Sequence, residues 1–366
     1  MSDATNTGAG QDRAGMEMLA TALASLLNED TASPAPARSA LVAVALGGRS
    51  DGEPARIRSF ALRRADRAAE VALPAVDRRG LIYSLTKTML AAAVLRFAAR
   101  GVVDLDGAAE RWLPELAGRA EPVSVAHILA HRAGLPDYGG RADYRTAVAA
   151  GDEPWSGDEY LERCGVAGPP VGAFAYSNIG YLLVGRLLER AGNAPLADVM
   201  TREVFGPLGL ASATMPRTRA DLGGLFFGPS PTFGDAPVAE RYHPGWVSHG
   251  VVAMAAADAA RLLHGLTEDY LPGALLRRMH DGLPVGGPMG GRPWVEPSYG
   301  LGTMVELDPA AGPYWGHTGG GPGVTPVAYH APGPNPVSVA VLLDGEDGAL
   351  AEWMAVEAIH RLRGGR

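Results

Sequence analysis

The chain has 366 residues, of which 47% are hydrophobic and 20% charged, which is enough apolar material for a sizeable core. Its net charge of −8 argues against a nucleic-acid partner or an anionic membrane surface, because both attract basic proteins. The single cysteine, Cys164, excludes an internal disulfide, and no uninterrupted apolar run is long enough to predict a membrane span. The N-terminus shows no basic segment ahead of an apolar one, so we predict a cytoplasmic protein.

The first third of the chain predicts a tail, a helix, two strands and a second helix. Residues 1–13 are small and polar and are expected to form a disordered tail, while apolar residues at helical spacing predict a helix over 14–28. Strands are expected at Leu41–Leu46 and Ile57–Leu62. A strong helix is predicted at Thr86–Arg100, which Gly101 ends.

The middle of the chain is predicted to be mostly helical and the last third to return to strands. Helices are expected at Val125–His131, Ile179–Ala191, Leu196–Val204 and Ala257–Leu266. Strands follow at Tyr299–Leu307, Val324–His330 and Val337–Leu343, before a final helix at Ala349–Leu362. Strands at both ends predict a discontinuous α/β domain, 14–103 with 266–366, and a mostly helical domain over 104–265.

Lys87 is the only lysine among the 32 lysines and arginines of the chain, and it lies three residues after Ser84. Residues at this spacing share one face of a helix, so the amine can reach the hydroxyl. A buried lysine can be tuned towards neutrality, whereas a guanidinium stays charged. The pair therefore predicts an activated serine nucleophile. The Ser84 backbone N–H, at the helix start, is also predicted to donate to an oxyanion.

A second candidate element is Tyr176-Ser177-Asn178, which opens the helix predicted from Ile179. A phenol beside a lysine ammonium is expected to have a lowered pKa and to accept the serine proton as a phenolate. Asn178 can offer its amide to the lysine and to a substrate carbonyl. The structural alternative is that Ser177 or Asn178 caps the helix, which is compatible with a catalytic role.

A third candidate element is His317-Thr318-Gly319-Gly320, ahead of the strand predicted from Val324. Glycines at a strand edge allow a substrate to approach closely, so these residues are predicted to contact it. The Gly320 N–H is the candidate second oxyanion donor, and His317 is expected to supply a polar or cationic group. A glycine-rich hairpin without a function is the structural alternative.

These three elements, in this order, resemble the S-x-x-K, Y-x-N and K/H-T-G pattern of the serine β-lactamase and penicillin-binding-protein superfamily. Their spacing is similar to that of class C β-lactamase-like hydrolases. Further resemblance lies in the segments His127–Pro136, Phe174–Tyr181 and Phe205–Leu210. The resemblance implies an antiparallel sheet flanked by helices, with a mostly helical inserted domain.

Carried onto this chain, the resemblance makes Ser84 the acylated nucleophile and Lys87 with Tyr176 the proton-handling pair. Asn178 becomes the polar orienting group. The oxyanion donors become the N–H groups of Ser84 and Gly320. His317 takes the position of a lysine in true β-lactamases, a departure similar to the esterase, D-aminopeptidase and acyltransferase branches.

Four other residues bear on the site. Trp246 and Phe227 are predicted to line a substrate pocket, although Trp246 can equally be a buried core residue. His127 and His131 have a spacing that metals use, but no third ligand accompanies them, so we predict structural roles. The sequence predicts neither a metal nor a cofactor.

We therefore predict a serine hydrolase or acyltransferase that forms an acyl-Ser84 intermediate from a small ester or amide. The partners are a small-molecule acyl donor and either water or a small-molecule acceptor. The alternative enzymes are a D-amino-acid peptidase and a β-lactamase. An inactive binding protein on the same fold is the non-enzymatic alternative, and the intact Ser84, Lys87, Tyr176 and His317 argue against it.

Overall fold

The strands explain how distant parts of the chain come together. A computed structural model describes residues 4–29, 36–47, 55–64, 70–72 and 77–364. Its strands are β1 Ser39–Leu46, β2 Arg56–Arg63, β3 Glu70–Ala72, β4 Arg79–Leu81, β5 Ala253–Ala255, β6 Leu283–Pro284, β7 Pro297–Tyr299, β8 Met304–Glu306, β9 Trp315–Thr318, β10 Val324–Ala331 and β11 Val337–Asp344. Nine of them form an antiparallel sheet in the order β3-β2-β1-β11-β10-β9-β8-β7-β6, and β4 pairs with β5 separately.

The helices flank this sheet or form the region between β4 and β5. They are α1 Ala4–Glu29, α2 Thr86–Ala99, α3 Val125–Leu129, α4 Ala142–Ala150, α5 Gly157–Cys164, α6 Asn178–Gly192, α7 Leu196–Met200, α8 Val238–Arg241, α9 Ala256–Leu266, α10 Gly273–His280 and α11 Gly348–Leu362. Among the described residues, no helix is both long and apolar enough to cross a membrane.

Two hydrophobic cores lie on opposite faces of the sheet. Successive side chains of a strand point to opposite faces. Accordingly, Leu41, Ala43 and Ala45 of β1 pack into a core with α2, α6 and α9, whereas Val42 and Val44 pack into a second core with α1 and α11. The central strands β10 and β11 are buried along their whole length, and most of their residues are apolar.

The predicted antiparallel sheet flanked by helices is confirmed, with corrections to three elements. The expected strand Tyr299–Leu307 is two strands, β7 and β8, separated by a turn. Gly302 in this turn has φ +77°, and a Cβ there would lie 2.4 Å from Ala91 Cβ on α2. The close approach to α2 therefore forces the chain to turn here. The helix predicted over Leu196–Val204 ends at Met200, where a wider π-helical turn over Thr201–Phe205 follows.

The expected disordered tail is also corrected. Helix α1 begins at Ala4, ten residues before the predicted start, and residues 1–3 lie outside the described part of the chain. The second half of α1 is anchored by Leu19, Leu23 and Leu27, which are buried. No proline precedes Pro34. Once that anchored half is helical, each further residue adds a hydrogen bond without a new nucleation cost.

The division into two domains stays a prediction, although one boundary is displaced. Helix α9 was assigned to the helical domain that ends at residue 265, yet it packs on the sheet against β1, β10 and β11. The strand β5 that precedes it pairs with β4. Because β4 leads directly to Ser84, this pairing brings the segment before β5 next to the predicted nucleophile.

Candidate active site

Ser84 lies in a short 3₁₀ turn, Tyr83–Leu85, that leads directly into α2. The residue before it, Tyr83, has φ +38°, a conformation that side chains rarely adopt. The Tyr83 hydroxyl donates a 2.8 Å hydrogen bond to the Pro322 carbonyl, and this contact helps hold the strained backbone. Ser84 therefore occupies a sharply turned, well-anchored position at the start of a buried helix.

The Lys87 amine has three polar neighbours. Its Nζ lies 3.1 Å from Ser84 Oγ, 2.8 Å from Asn178 Oδ1 and 3.4 Å from His249 Nε2. The side chain is completely buried. Burial lowers the pKa of the amine to about 7, although the Asp137 carboxylate acts in the opposite direction. Near neutral pH, Lys87 can therefore lose its proton, and its role as a base stays a prediction.

Tyr176 contacts the same serine oxygen, but its expected phenolate form is wrong. The Tyr176 hydroxyl donates a 2.9 Å hydrogen bond to Ser84 Oγ. Burial raises the pKa of this phenol well above its ordinary value, although the bond to Ser84 acts in the opposite direction. Lys87 Nζ lies over the tyrosine ring, 5.0 Å from its centre. Burial thus favours the neutral amine of Lys87 and the protonated phenol of Tyr176.

Asn178 is held by a carboxylate that the sequence analysis missed. Asp137 Oδ1 accepts hydrogen bonds from the Asn178 backbone N–H, 2.8 Å away, and from its Nδ2, 2.9 Å away. This arrangement leaves Asn178 Oδ1 facing Lys87. The capping alternative also holds, since Ser177 Oγ accepts from Gly180 N at 2.9 Å and caps α6. The sequence signal that could have identified Asp137 is its carboxylate directly after Pro136, the last residue of the segment that resembles the family.

The glycines after β9 allow this strand to approach the nucleophile. A Cβ on Gly319 would lie 2.6 Å from the Ile82 carbonyl oxygen and 3.1 Å from Ser84 N, and one on Gly321 would lie 2.4 Å from the Tyr83 ring. A Cβ on Gly320 would meet nothing within 4 Å. The predicted oxyanion donors, Ser84 and Gly320, line one cavity. Their joint role in binding an oxyanion stays a prediction.

His317 is buried and neutral, so the cationic alternative is wrong. Its Nδ1 donates to the Thr318 carbonyl at 2.7 Å, and its Nε2 accepts from the Tyr299 hydroxyl at 2.9 Å. Burial, together with the Lys87 amine, lowers the pKa of His317 to about 3. Both nitrogens are thus engaged within the protein. Tyr299, which the sequence placed only in a strand, is the partner that fixes the ring.

The Thr318 side chain points to the face of β9 opposite that of His317. Its hydroxyl bonds to the Tyr329 hydroxyl at 2.6 Å and to the buried carboxylate of Glu352 on α11. Glu352 also pairs with Arg292. The Thr318 side chain therefore ties β9 to α11. Direct substrate contact through its hydroxyl is not favoured by this geometry, although the residue borders a cavity.

Two cavities meet at Gly320, Gly321 and Glu346. One, of about 590 Å³, contains Ser84, Asn178 and His249, and its walls are rich in aromatic residues, namely Tyr83, Tyr138, Tyr144, Tyr242 and Trp246. The other, of about 710 Å³, is lined by Phe174, Tyr176, Tyr299, His317 and Arg292, among others. The two cavities share these three lining residues, and Ser84 lines the aromatic one.

Trp246 lines the first cavity as predicted, while Phe227 lies elsewhere. Trp246 is 1% exposed and packs between Tyr144 and Trp155, so it is both a core residue and a cavity wall. Phe227 is not among the lining residues of either cavity and instead lies against the position of Gly323. Phe226 is buried in the core that contains α2, and Phe227 packs against the same core.

The two histidines with metal-like spacing have structural roles, as predicted. His127 forms a reciprocal cap with Ser124 at the start of α3, and His131 Nδ1 accepts from Ser177 N at 3.1 Å. Within the described part of the chain, no group of three His, Cys, Asp or Glu side chains is arranged to hold a metal ion.

Comparison with known sequences identifies the family. The sequence profile of the Beta-lactamase family matches residues 28–358. Esterase EstB of Burkholderia gladioli is 35% identical over 144 residues, which cover 35% of this chain and 36% of EstB. Penicillin-binding protein 4* of Bacillus subtilis (strain 168) is 29% identical over 133 residues, 35% of this chain and 29% of that protein. The aligned segments thus span only about a third of these relatives.

Comparison with solved structures covers nearly the whole chain. A D-stereospecific amidohydrolase from Streptomyces sp. aligns with a TM-score of 0.72 and 22% identity, over 94% of this chain and 99% of the other. The D-amino acid amidase of Ochrobactrum anthropi SV3 gives 0.71 and 21%, over 93% and 98%. At these identities the likeness establishes the shared fold.

Proposed function

The chain belongs to the β-lactamase family, and from this premise we propose that it is a serine hydrolase that passes through an acyl-Ser84 intermediate. One observation carries the proposal. Ser84 Oγ lies within hydrogen-bonding distance of both Lys87 Nζ, at 3.1 Å, and the Tyr176 hydroxyl, at 2.9 Å. A hydroxyl placed between a base with a lowered pKa and a proton donor is arranged for nucleophilic catalysis.

In the acylation step, the neutral Lys87 amine takes the Ser84 proton as Oγ bonds to the substrate carbonyl carbon. The developing oxyanion lies against the N–H groups of Ser84 and Gly320. As the carbon–leaving-group bond breaks, the Tyr176 hydroxyl donates its proton to the leaving group. Proton exchange with solvent in the cavity then returns the Tyr176 phenolate to the phenol and the Lys87 ammonium to the neutral amine. Deacylation repeats these transfers with water as the incoming nucleophile.

The substrate class that fits this site best is a small ester or amide. The neutral, internally bonded His317 provides no cation for a β-lactam carboxylate, which weighs against a β-lactamase. The D-amino acid amidase and the amidohydrolase share the fold, so an amide of a D-amino acid is the second candidate. A cytoplasmic location remains part of the proposal.

The test compares three substrate types with one enzyme preparation and its Ser84→Ala variant. p-Nitrophenyl acetate, a D-amino-acid p-nitroanilide with its L-enantiomer, and a chromogenic cephalosporin are assayed at equal concentration. We expect ester turnover to exceed cephalosporin turnover by at least about 100-fold, and the variant to be inactive, since loss of such a nucleophile removes about 10⁴-fold or more. A dominant cephalosporin rate would establish the β-lactamase alternative. A correctly folded wild type that acts on none of them would favour the inactive binding protein.

The aromatic cavity also supports transfer of the acyl group to an acceptor other than water. Five aromatic side chains line the cavity that contains Ser84. Such walls bind apolar acceptors and limit the number of water molecules near the acyl carbon. Because the same base activates an amine, an alcohol or water, the occupant of this cavity decides the product.

A further inference from the structure

The third neighbour of the Lys87 amine is His249, a residue outside the three motifs. His249 Nε2 lies 3.4 Å from Lys87 Nζ, at the long end of hydrogen-bond distances. The side chain is 2% exposed. Its position is fixed by the segment that follows, because Val252 N donates to Thr86 Oγ1 at 3.1 Å and Val252 O accepts from Ile82 N at 2.8 Å. The imidazole is therefore held against the helix turn that carries Ser84 and Lys87.

The number of hydrogen bonds that the Lys87 amine can form limits the role of its contact with His249. A neutral amine has two N–H bonds and one lone pair, and Lys87 Nζ has three neighbours. Asn178 Oδ1 can only accept, because the Nδ2 of the same amide donates to Asp137 at 2.9 Å. Only the remaining N–H and the lone pair are left for Ser84 and His249. The amine acts as a base only when the lone pair faces Ser84 Oγ.

We propose that His249 is a positioning residue, which accepts an N–H of neutral Lys87 at Nε2 and thereby leaves the lone pair directed at Ser84 Oγ. This inference rests on the proposed serine acylation. In this arrangement His249 carries its own proton on Nδ1. That nitrogen is buried, has no hydrogen-bond partner among the described residues, and belongs to a side chain that lines the Ser84 cavity.

The surroundings of His249 keep the imidazole neutral. Burial, and after it the neighbouring Lys87, His131 and His317 side chains, hold the pKa of His249 well below its ordinary value. The Tyr181 ring packs edge-on, with centres 6.1 Å apart. Because the His249 imidazole is neutral, it can orient the Lys87 amine without adding a negative charge. Such a charge would stabilise the protonated form of the amine. The charge of Asp137 acts on Lys87 in the direction that raises its pKa, and the same carboxylate accepts a hydrogen bond from Asn178 Nδ2.

Three substitutions separate the hydrogen bond from packing. His249→Gln retains an amide group near the position of Nε2. His249→Asn reaches only the position of Nδ1, and His249→Phe keeps a ring without nitrogen. Single-turnover acylation by p-nitrophenyl acetate is followed for each variant from about pH 5 to about pH 10. The dependence of the acylation rate on ester concentration is measured as well. Intact mass of the wild type and of Ser84→Ala verifies that the acyl group is on Ser84.

We expect the glutamine variant to keep the wild-type acylation rate within about fivefold, and the asparagine and phenylalanine variants to lose about 10- to 100-fold with little change in saturation. In the phenylalanine variant, the pH at which the acylation rate rises should be lower than in the wild type, because loss of the His249 acceptor destabilises the Lys87 ammonium. A packing defect that admits water moves this pH upward, towards the ordinary pKa of lysine. Upward movement, or equal losses in all three variants, overturns the proposal. If the wild type is not acylated at Ser84, the proposed function itself fails, and this inference with it.

Discussion

Burial has opposite effects on the pKa values of the two residues beside Ser84. Lys87 and Tyr176 both lie within 3.1 Å of Ser84 Oγ. Removal from water disfavours charge on either residue, which lowers the pKa of the amine to about 7 and raises that of the phenol. The same physical effect thus prepares one side chain to accept a proton and the other to donate one. Neither needs a metal ion or a further carboxylate in this scheme.

Replacing Lys87 by arginine tests whether proton transfer, and not charge, is the reason for lysine. A guanidinium stays protonated and cannot accept the Ser84 proton. We expect Lys87→Arg to reduce the acylation rate at least about 100-fold, close to the effect of Lys87→Ala. The exposed Arg111→Lys is the matched control for a charge-preserving exchange. Substantial activity in Lys87→Arg would mean that positive charge is sufficient.

The acylation rate should depend on pH through Lys87. The lowered pKa of about 7 means that the amine is protonated and inactive as a base in acid. The rate should therefore rise as pH increases through about 7 and stay high above it, until the protein or the ester is affected. Single-turnover acylation at constant ionic strength measures this profile. A rate that is independent of pH from about 5 to about 9 would contradict the role given to this amine.

At the scale of elements, the site exists because β9 and its glycines pass close to the turn before α2. Gly321 faces the Tyr83 ring, and that ring cannot withdraw freely, because its hydroxyl is bonded to the Pro322 carbonyl. Tyr83 is also the strained residue directly before Ser84. The position of the nucleophile is thus coupled to the packing of a strand more than 200 residues later in the chain.

Gly321→Ala should disturb the nucleophile from a distance. Its Cβ would lie 2.4 Å from Tyr83 Cε1 and Cζ, so the turn must shift. We expect the acylation rate to fall more than about tenfold, and stability to fall by about 1–3 kcal/mol. Denaturant unfolding and single-turnover acylation measure the two effects. Gly287→Ala is the control, since a Cβ there meets nothing within 4 Å. Equal behaviour of the two variants would exclude the proposed coupling.

The elements with strong periodicity could be predicted from the sequence, and those set by tertiary contact could not. Helix α2 and strands β1, β10 and β11 were placed to within two residues, because their apolar patterns are long. The break between β7 and β8 depends on how closely Gly302 approaches α2. The motif residues likewise identified Ser84, Lys87 and Tyr176 as neighbours. The protonation of Tyr176 and the neutrality of His317 depend on burial, which local sequence does not specify.

At the scale of the whole molecule, two cavities share the lining residues Gly320, Gly321 and Glu346, and Ser84 lines one of them. If Ser84 is acylated as proposed, occupancy of the cavity that holds Trp246 should set the partition between hydrolysis and transfer. With p-nitrophenyl acetate as donor, rising concentrations of apolar amines should increase the amide at the expense of free acid, if the aromatic walls bind an acceptor. Product ratios by chromatography measure this. Amide that never exceeds the uncatalysed background would leave hydrolysis as the sole reaction.

The central claim is that Ser84 carries the acyl group, and intact-mass analysis tests it most directly. The wild type and Ser84→Ala are each mixed with an activated ester, quenched in acid at short times and digested for peptide mapping. The wild type should gain the mass of one acyl group, located on the peptide that contains Ser84 at the start of α2. The variant should gain none while keeping its fold by circular dichroism. Acylation of Ser84→Ala at the wild-type rate, or an adduct located on another residue, would contradict the account.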